Sequence, residues 1–152
     1  MLNYCTVFHN TSFLASIGVN AAYVEAFPDS LRLVDAASDS LILEVWQSAG
    51  RRYLVFYPFA IDGEGDLCAL AILTLAKACA YPLRLVKRNE QVEIGLVLPA
   101  EASSEEELRD WVCELRAHAN GPMRHALLEL AMAKAQVEEI VDFLDEEEET
   151  SS

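Results

Sequence analysis

The sequence holds none of the short motifs that mark common kinds of chemistry. Its four cysteines include no C-x-x-C pair, so their spacing indicates neither a zinc site nor a redox pair. No glycine-rich phosphate loop and no nucleophile motif is present. His118 and His125 lie on either side of Gly121 and Pro122, a break that we expect to keep them from sharing a metal ion. The sequence therefore predicts no catalytic residue, no cofactor and no metal, and we expect that the protein is not an enzyme.

Basic residues are scarce, since 11 Lys and Arg stand against 25 Asp and Glu and give a formal net charge of −14. Nucleic-acid binders gain affinity by neutralising phosphates, and anionic membranes attract basic patches, so this balance argues against both. Long apolar runs are missing too, because the longest uncharged one, 67–76, is far too short to span a bilayer. The first residues lack the basic stretch of a secretory signal. We expect a cytoplasmic protein that binds neither nucleic acid nor membrane.

Apolar residues make up 53% of the 152 residues, which is enough to build a core and excludes a wholly disordered chain. No internal linker divides the chain. We predict a single α+β domain over 1–144, made of a lead-in (1–29, a short helix or irregular), a core (30–119) and a C-terminal helix (122–144). The residues that follow, 145–152, predict a disordered acidic tail because runs of like charge are solvated.

Alternating apolar residues predict an antiparallel sheet in the core region. The segments 31–33, 41–47 and 52–59 form a three-stranded meander, and the proline in the last of them indicates a strand end or an edge. The segments 83–87 and 92–98 are separated by a turn and predict a hairpin. The predicted fold class is therefore α+β, with a meander plus a hairpin in one antiparallel sheet and helices packed on it.

Two helices follow from composition and capping. The segment 67–79 is rich in alanine and leucine and apolar nearly all the way round, so it must be covered on more than one side. Ser103 and Ser104, followed by Glu106 and Glu107, form a capping-box start for the second helix. One face of that second helix carries Leu108, Trp111, Val112, Leu115 and Ala119.

A C-terminal helical extension is predicted after the break at 121–122, where Pro122 suits the first position of a new helix. Negative charge at its end opposes the helix dipole, so we expect fraying near Asp145. A single apolar stripe of this helix consists of Leu127, Leu130, Val137, Val141 and Leu144.

Two groups of side chains indicate a binding role. The helix at 67–79 can pack one face on the sheet, and its other face, with Leu70 and Leu73, needs the C-terminal helices or a second subunit. Aromatic residues cluster on adjacent predicted strands, and aromatics are enriched at protein interfaces because they bury a large area for few lost rotamers. We expect part of this aromatic set to lie at a partner or dimer interface: Trp46, Tyr53, Phe56, Tyr57 and Phe59.

The order of elements over residues 12–119 resembles the type III secretion chaperone-like fold, which the YbjN-like family shares. The segments that carry the resemblance are 41–45 with 51–57, then 83–98, then 103–108 leading to Trp111. The resemblance implies a homodimer without enzymatic activity. Its two-fold interface would lie on the central helix or neighbouring strands, and its apolar grooves would hold an unfolded segment of a partner.

This chain departs from the family pattern in its poorly defined first helix and in the extra helix after Pro122. The predicted function is protein binding, as a secretion-chaperone-like module or regulatory adaptor that holds an apolar segment of a partner protein. Two alternatives stay open. A small-molecule sensor or small acid–base enzyme would need a deep polar pocket with a buried carboxylate of raised pKa. A structural subunit of a larger complex would make contact through its C-terminal helix.

Overall fold

The structure, a computed structural model, describes residues 2–98 and 101–150, with side chains through residue 142. These residues form one antiparallel sheet and five α-helices. The strands are β1 (Ala22–Phe27), β2 (Ser30–Asp35), β3 (Leu41–Ser48), β4 (Arg51–Asp62), β5 (Leu83–Arg88) and β6 (Gln91–Leu98). The helices are α1 (Tyr4–Phe8), α2 (Thr11–Ser16), α3 (Asp66–Ala78), α4 (Glu105–His118) and α5 (Arg124–Thr150). The predicted α+β class with a C-terminal helix is confirmed.

The sheet has the strand order β1-β2-β3-β4-β6-β5, with every neighbouring pair antiparallel. Two-residue turns join β3 to β4 and β5 to β6. Ala49 and Gly50 have φ of 51° and 74°, and Asn89 and Glu90 have φ of 51° and 65°. Positive φ at both turn positions matches the right-handed twist of paired strands. The predicted hairpin of 83–98 is therefore present, and its second strand adds to the meander beside β4.

The meander has four strands where the sequence predicted three, because the lead-in contains β1 as well as α1 and α2. Ala22 and Val24 of β1 pack toward the core while Tyr23 is exposed, so the first half of the strand alternates. The alanines of β1 weaken the sequence pattern that would predict a strand, since alanine is depleted in strands. Pro28 follows β1 directly, and in the sequence this proline indicated the end of a helical lead-in.

β4 runs through Pro58 to Asp62 and lies between β3 and β6, so the proline marks neither the strand end nor the edge that the sequence indicated. The pairing of β4 with β6 shifts register between Phe56 and Phe59. A bulge is one of the few places within a sheet where proline is tolerated, because no ladder hydrogen bond is lost there.

One face of the sheet carries the main core, on which the helices pack. Its fully buried strand residues include Leu33, Leu43 and Ile94. The predicted face of α4 is confirmed: Leu108, Val112, Leu115 and Ala119 are buried, and Trp111 packs partly buried against them. Its predicted start is confirmed too, since the Ser104 side chain accepts a hydrogen bond of 3.2 Å from the backbone of Glu107.

The sheet curls so strongly that its two outer strands approach each other. In a flat six-stranded sheet β1 and β5 would lie about 24 Å apart. Here Nη2 of Arg88 on β5 lies 3.0 Å from Oε1 of Glu25 on β1. The face opposite the main core is therefore concave, and a second small core of buried side chains fills it: Val34, Leu41, Val55, Tyr57, Val86 and Val97.

The chain does not break at Gly121 and Pro122 as predicted. A five-residue π-helical segment, Ala119–Met123, joins α4 to α5 and contains Pro122. Such a widened turn accommodates a residue that lacks a backbone N–H. α5 then continues to Thr150, beyond the boundary at 144 from which a disordered tail was predicted. Glutamate has a high helix propensity, which favours this continuation in spite of the helix dipole.

Candidate protein-binding surface

α3 has one packed face and one exposed face. Leu75 is fully buried, and Ile72 packs partly buried against the main core. On the other side Leu67, Leu70 and Leu73 are 49%, 46% and 60% exposed. We call these three residues the α3 leucine surface. The sequence predicted that this helix must be covered on more than one side, and within the described chain one side of it stays open to solvent.

The local sequence explains why the helix forms although one face is open. Between Asp66 and Lys77 it contains no charged residue and no glycine or proline, and leucine and alanine have the highest helix propensities. The acidic Asp66 stands in the first turn and the basic Lys77 in the last, which suits the helix dipole. Helix formation thus follows from helix propensity, the end charges and the packed face, and it does not require that the three exposed leucines be covered.

Contacts to the C-terminal helices hold α3 in place. It packs on α5 and on the π-helical segment that precedes it. Directly after α3 the backbone N–H of Ala80 donates to Nε2 of His118 at 3.1 Å, and the Tyr81 hydroxyl donates to Glu114 at 3.2 Å. The α3 leucine surface is therefore displayed on an anchored helix.

The predicted aromatic cluster divides between the two faces of the sheet. Phe56 is buried in the main core, and Phe59 packs partly buried against it. Trp46, Tyr53 and Tyr57 belong to the concave face, where the rings of Trp46 and Tyr53 lie with centroids 5.5 Å apart and planes tilted by 37°. These five residues therefore do not form one surface, and none of them joins the α3 leucine surface with Leu70 and Leu73.

The concave face holds a buried ionic network that the sequence did not predict. Glu44 is a charged residue that is completely buried, and its neighbours on β3 are apolar. Its carboxylate accepts hydrogen bonds from Arg84 Nε at 2.7 Å, the Tyr57 hydroxyl at 2.6 Å, Ser30 Oγ at 2.5 Å and Arg32 Nε at 3.0 Å. We call these five residues the Glu44 cluster. A single glutamate within an apolar strand was the one sequence signal that could have pointed to it.

The electrostatics of the Glu44 cluster keep its carboxylate charged. Burial by itself would raise the pKa of Glu44, but the hydrogen bonds from Arg84, Ser30, Tyr57 and Arg32 outweigh burial and hold that pKa below its ordinary value. Burial and the adjacent charge of Glu44 raise the pKa of Tyr57 far above its usual range. The Arg84 guanidinium also lies over the Trp46 ring, 4.0 Å from its centroid. Every partner is already engaged, so this is a structural network and not a vacant site.

Glu93 is a second buried carboxylate on the same face. Burial raises the pKa of Glu93, against the effect of the hydrogen bond that the backbone N–H of Leu41 donates to it at 3.0 Å. A polar pocket beside such a group would suit an acid–base enzyme or a sensor. Four pockets on the described surface are lined by other residues, with neither Glu44 nor Glu93 among them.

The described residues include no group of His, Cys, Asp and Glu that could hold a metal ion. His118 accepts the Ala80 hydrogen bond, while His125 lies 3.1 Å from Glu129 on the exposed side of α5. None of the helices that the structure describes has both the length and the apolar content needed to cross a membrane.

Comparison of the chain with protein-family models, with curated proteins and with solved structures gave no match. The resemblance to the type III secretion chaperone-like and YbjN-like family therefore stays a prediction from the order of elements.

Proposed function

We propose that this protein is a non-enzymatic protein-binding module that holds an apolar segment of a partner protein against the α3 leucine surface. The observation that carries the proposal is the exposure of Leu67, Leu70 and Leu73 on one side of an anchored helix. Leucines exposed together on one face mark an interaction site more often than single exposed ones do.

The chemistry of this surface defines the kind of segment it suits. The outer face of α3 carries no charge between Asp66 and Lys77. A charged partner would lose hydration there and gain no ion pair, whereas an apolar segment would gain from burial of both surfaces. Secretion-chaperone-like or adaptor activity is compatible with such binding. A cytoplasmic location is part of this proposal, and the four free cysteine thiols agree with a reducing compartment.

A peptide-binding experiment tests the proposal on the full chain. The probe is a fluorescently labelled, neutral peptide with leucines at helical spacing and serines elsewhere. We expect it to bind the wild-type protein and to lose at least tenfold in affinity with Leu70→Asp or Leu73→Asp. The matched control is Ser12→Asp, which adds the same charge at an exposed position on α2 and should bind like wild type.

The two aspartate variants should stay folded, because both leucines are about half exposed or more. Circular dichroism and thermal unfolding check this. Equal binding by the wild-type protein and both α3 variants would contradict the proposal.

A second copy of the chain is the other occupant to consider, since the family resemblance implies a homodimer. Light scattering measures the mass of the full chain, which is 16.9 kDa for one copy. A doubled mass that falls to one copy in Leu73→Asp would assign the α3 leucine surface to self-association. A monomer that binds the peptide would assign it to another protein.

A further inference from the structure

A cavity of about 310 Å³ opens between the end of α4 and the strands β2, β3 and β4. This volume is at the lower end of the range of small-ligand sites, about 300–1,000 Å³. Much of its wall is apolar and comes from the buried side chains of Val19, Ile42 and Phe56. We call it the Arg116 cavity, and its polar lining residues are Asp35, Arg116 and Asn120.

Three departures from regular backbone geometry meet around the Arg116 cavity. The pairing of β4 with β6 shifts register in the stretch that contains Pro58, which lines the cavity. The pairing of β2 with β3 shifts register close to Asp35. The π-helical segment contributes Asn120. Because β-bulges and π-helical turns are frequent beside functional sites, this convergence favours a ligand site over a chance surface depression.

The guanidinium group of Arg116 is held in place at the wall of the cavity. Its Nη2 donates a hydrogen bond of 2.8 Å to the backbone carbonyl of Ile17. The group lies over the ring of Phe56 at 5.8 Å from the centroid, and its Nη1 is close to Gly18. Phe56 and Gly18 both line the cavity. In the part of the chain that the structure describes, the bond to Ile17 is the one hydrogen bond of this guanidinium, so further N–H donors stay available to a ligand.

The charge of Arg116 has no counter-charge nearby. No carboxylate among the described residues lies within ion-pair distance of it, although the chain has 25 acidic residues. Arginines that line other cavities are paired: Arg109 lies 3.7 Å from Glu106, and Arg52 lies 2.8 Å from Glu101. A half-buried, unmatched guanidinium beside an apolar wall suits the carboxylate of a ligand.

Asp35 supplies the opposite charge on the same cavity. Its Oδ1 accepts hydrogen bonds from the backbone N–H groups of Ala37 at 2.8 Å and Ser38 at 3.3 Å, while its Oδ2 has no partner within the described chain. No ion pair among the described residues joins Asp35 to Arg116, so the two charges do not neutralise each other. Such an arrangement complements a ligand that carries both charges.

We infer that the Arg116 cavity binds a free α-amino acid with an apolar side chain. Its carboxylate pairs with Arg116, its ammonium group pairs with Asp35, and its side chain covers the apolar wall. A zwitterion has no net charge, so the net charge of −14 on the chain does not repel it as it would repel an anion of the same size. This site shares no residue with the α3 leucine surface and goes beyond the proposed function.

The first test is calorimetric titration of the full chain with L-valine, L-leucine, L-methionine and L-phenylalanine. We expect at least one of them to bind at least tenfold more tightly than glycine, which lacks the apolar side chain. The deaminated and the decarboxylated analogue of that amino acid should each bind at least tenfold more weakly than the amino acid itself. No binding by any of the four at millimolar concentration, or equal binding by either analogue, would overturn the inference.

Variants of the chain locate the two charges. Arg116→Gln removes the charge but keeps an amide donor for the Ile17 carbonyl, and it should weaken amino-acid binding at least tenfold. Arg109→Gln is the matched control, because it makes the same change on the same helix at another cavity. Asp35→Asn keeps an oxygen acceptor for its turn and should also weaken binding at least tenfold, whereas Asp29→Asn in the β1–β2 turn should not. Circular dichroism and thermal unfolding check the fold, and unchanged binding by folded Arg116→Gln would overturn the inference.

This inference and the proposed function fail separately. Leu73→Asp should leave amino-acid binding unchanged, and Arg116→Gln should leave binding of the leucine peptide unchanged. A chain that binds the amino acid and not the peptide contradicts the proposed function alone. A chain that binds the peptide and none of the four amino acids overturns this inference alone.

Discussion

The Glu44 cluster and the α3 leucine surface are opposite exceptions to the rule that apolar groups are buried and charges exposed. In the first, a carboxylate is buried and receives hydrogen bonds from four side chains. In the second, three leucines remain in water with no cover from the described chain. The buried carboxylate already accepts hydrogen bonds from side chains of the same chain, so it does not need a ligand. A partner would bury the exposed leucines, and for this reason we propose a binding function for α3 and a structural role for the concave face.

The largest effect we expect from a single change is the loss of the charge at Glu44. Glu44→Gln leaves Arg84 and Arg32 without a counter-charge in the concave face, and breaking a buried ion pair costs about 3–5 kcal/mol. Chemical denaturation measures this as a lower free energy of unfolding. Glu138→Gln removes the same charge from an exposed ion pair and should change stability by less than about 1 kcal/mol. Equal effects from both variants would show that the Glu44 cluster is not structural.

Two leucines of α3, one buried and one exposed, allow a direct comparison of the two faces of this helix. Leu75→Ala empties a fully buried position and should cost about 2–5 kcal/mol. Leu73→Ala removes a side chain that is 60% exposed and should stay within about 0.5 kcal/mol. Thermal unfolding of both variants checks the pair. A large loss with Leu73→Ala would mean that the outer face of α3 is covered in solution.

Gly95 tests how tightly the concave face is packed. A Cβ at this position would lie 2.7 Å from Cε1 of Tyr57 and closer still to a methyl of Val55. Gly95→Ala should therefore cost about 1–3 kcal/mol through overpacking. Gly121→Ala is the control, because a Cβ there meets nothing within 4 Å and alanine favours helix. No destabilisation with Gly95→Ala would show that the concave face is packed loosely enough to accept a methyl group.

The smallest effect concerns pH and Glu93. Because burial raises the pKa of Glu93 above 4.5, the folded state binds a proton at a pH where the unfolded chain is still charged. Through Glu93 the protein thus gains stability as the pH falls from neutrality through the raised pKa. Glu93→Gln should abolish this gain, which denaturation curves between neutral pH and the ordinary pKa would measure. A difference in the free energy of unfolding between Glu93→Gln and the wild type that stays constant over this pH range would contradict the prediction.

The contribution of Glu44 to the pH dependence of stability has the opposite sign to that of Glu93 and appears at lower pH. Its pKa is depressed, so its stabilisation is complete above the ordinary value of 4.5 and is lost as the pH falls through the lowered pKa. The wild-type advantage over Glu44→Gln should therefore persist down to pH values below 4.5.

Local patterns in the sequence were sufficient for much of the fold. The meander, the hairpin, α3 and the capped start of α4 were predicted because alternation, helix propensity and capping depend on residues close together in the chain. β1 was missed since its alanines hide the alternation. The break at Pro122 was predicted but is absent, because a π-helical segment accommodates the proline.

The sequence by itself therefore determined most of the elements, the strong negative charge and the leucines of α3. Only the tertiary structure decided which of these groups meet. Glu44 and Arg84 are 40 residues apart in the chain and meet because the sheet curls. Likewise, the open side of α3 depends on where α5 packs. Long-range contacts of this kind leave no local pattern, because they depend on how whole elements pack and not on neighbouring residues.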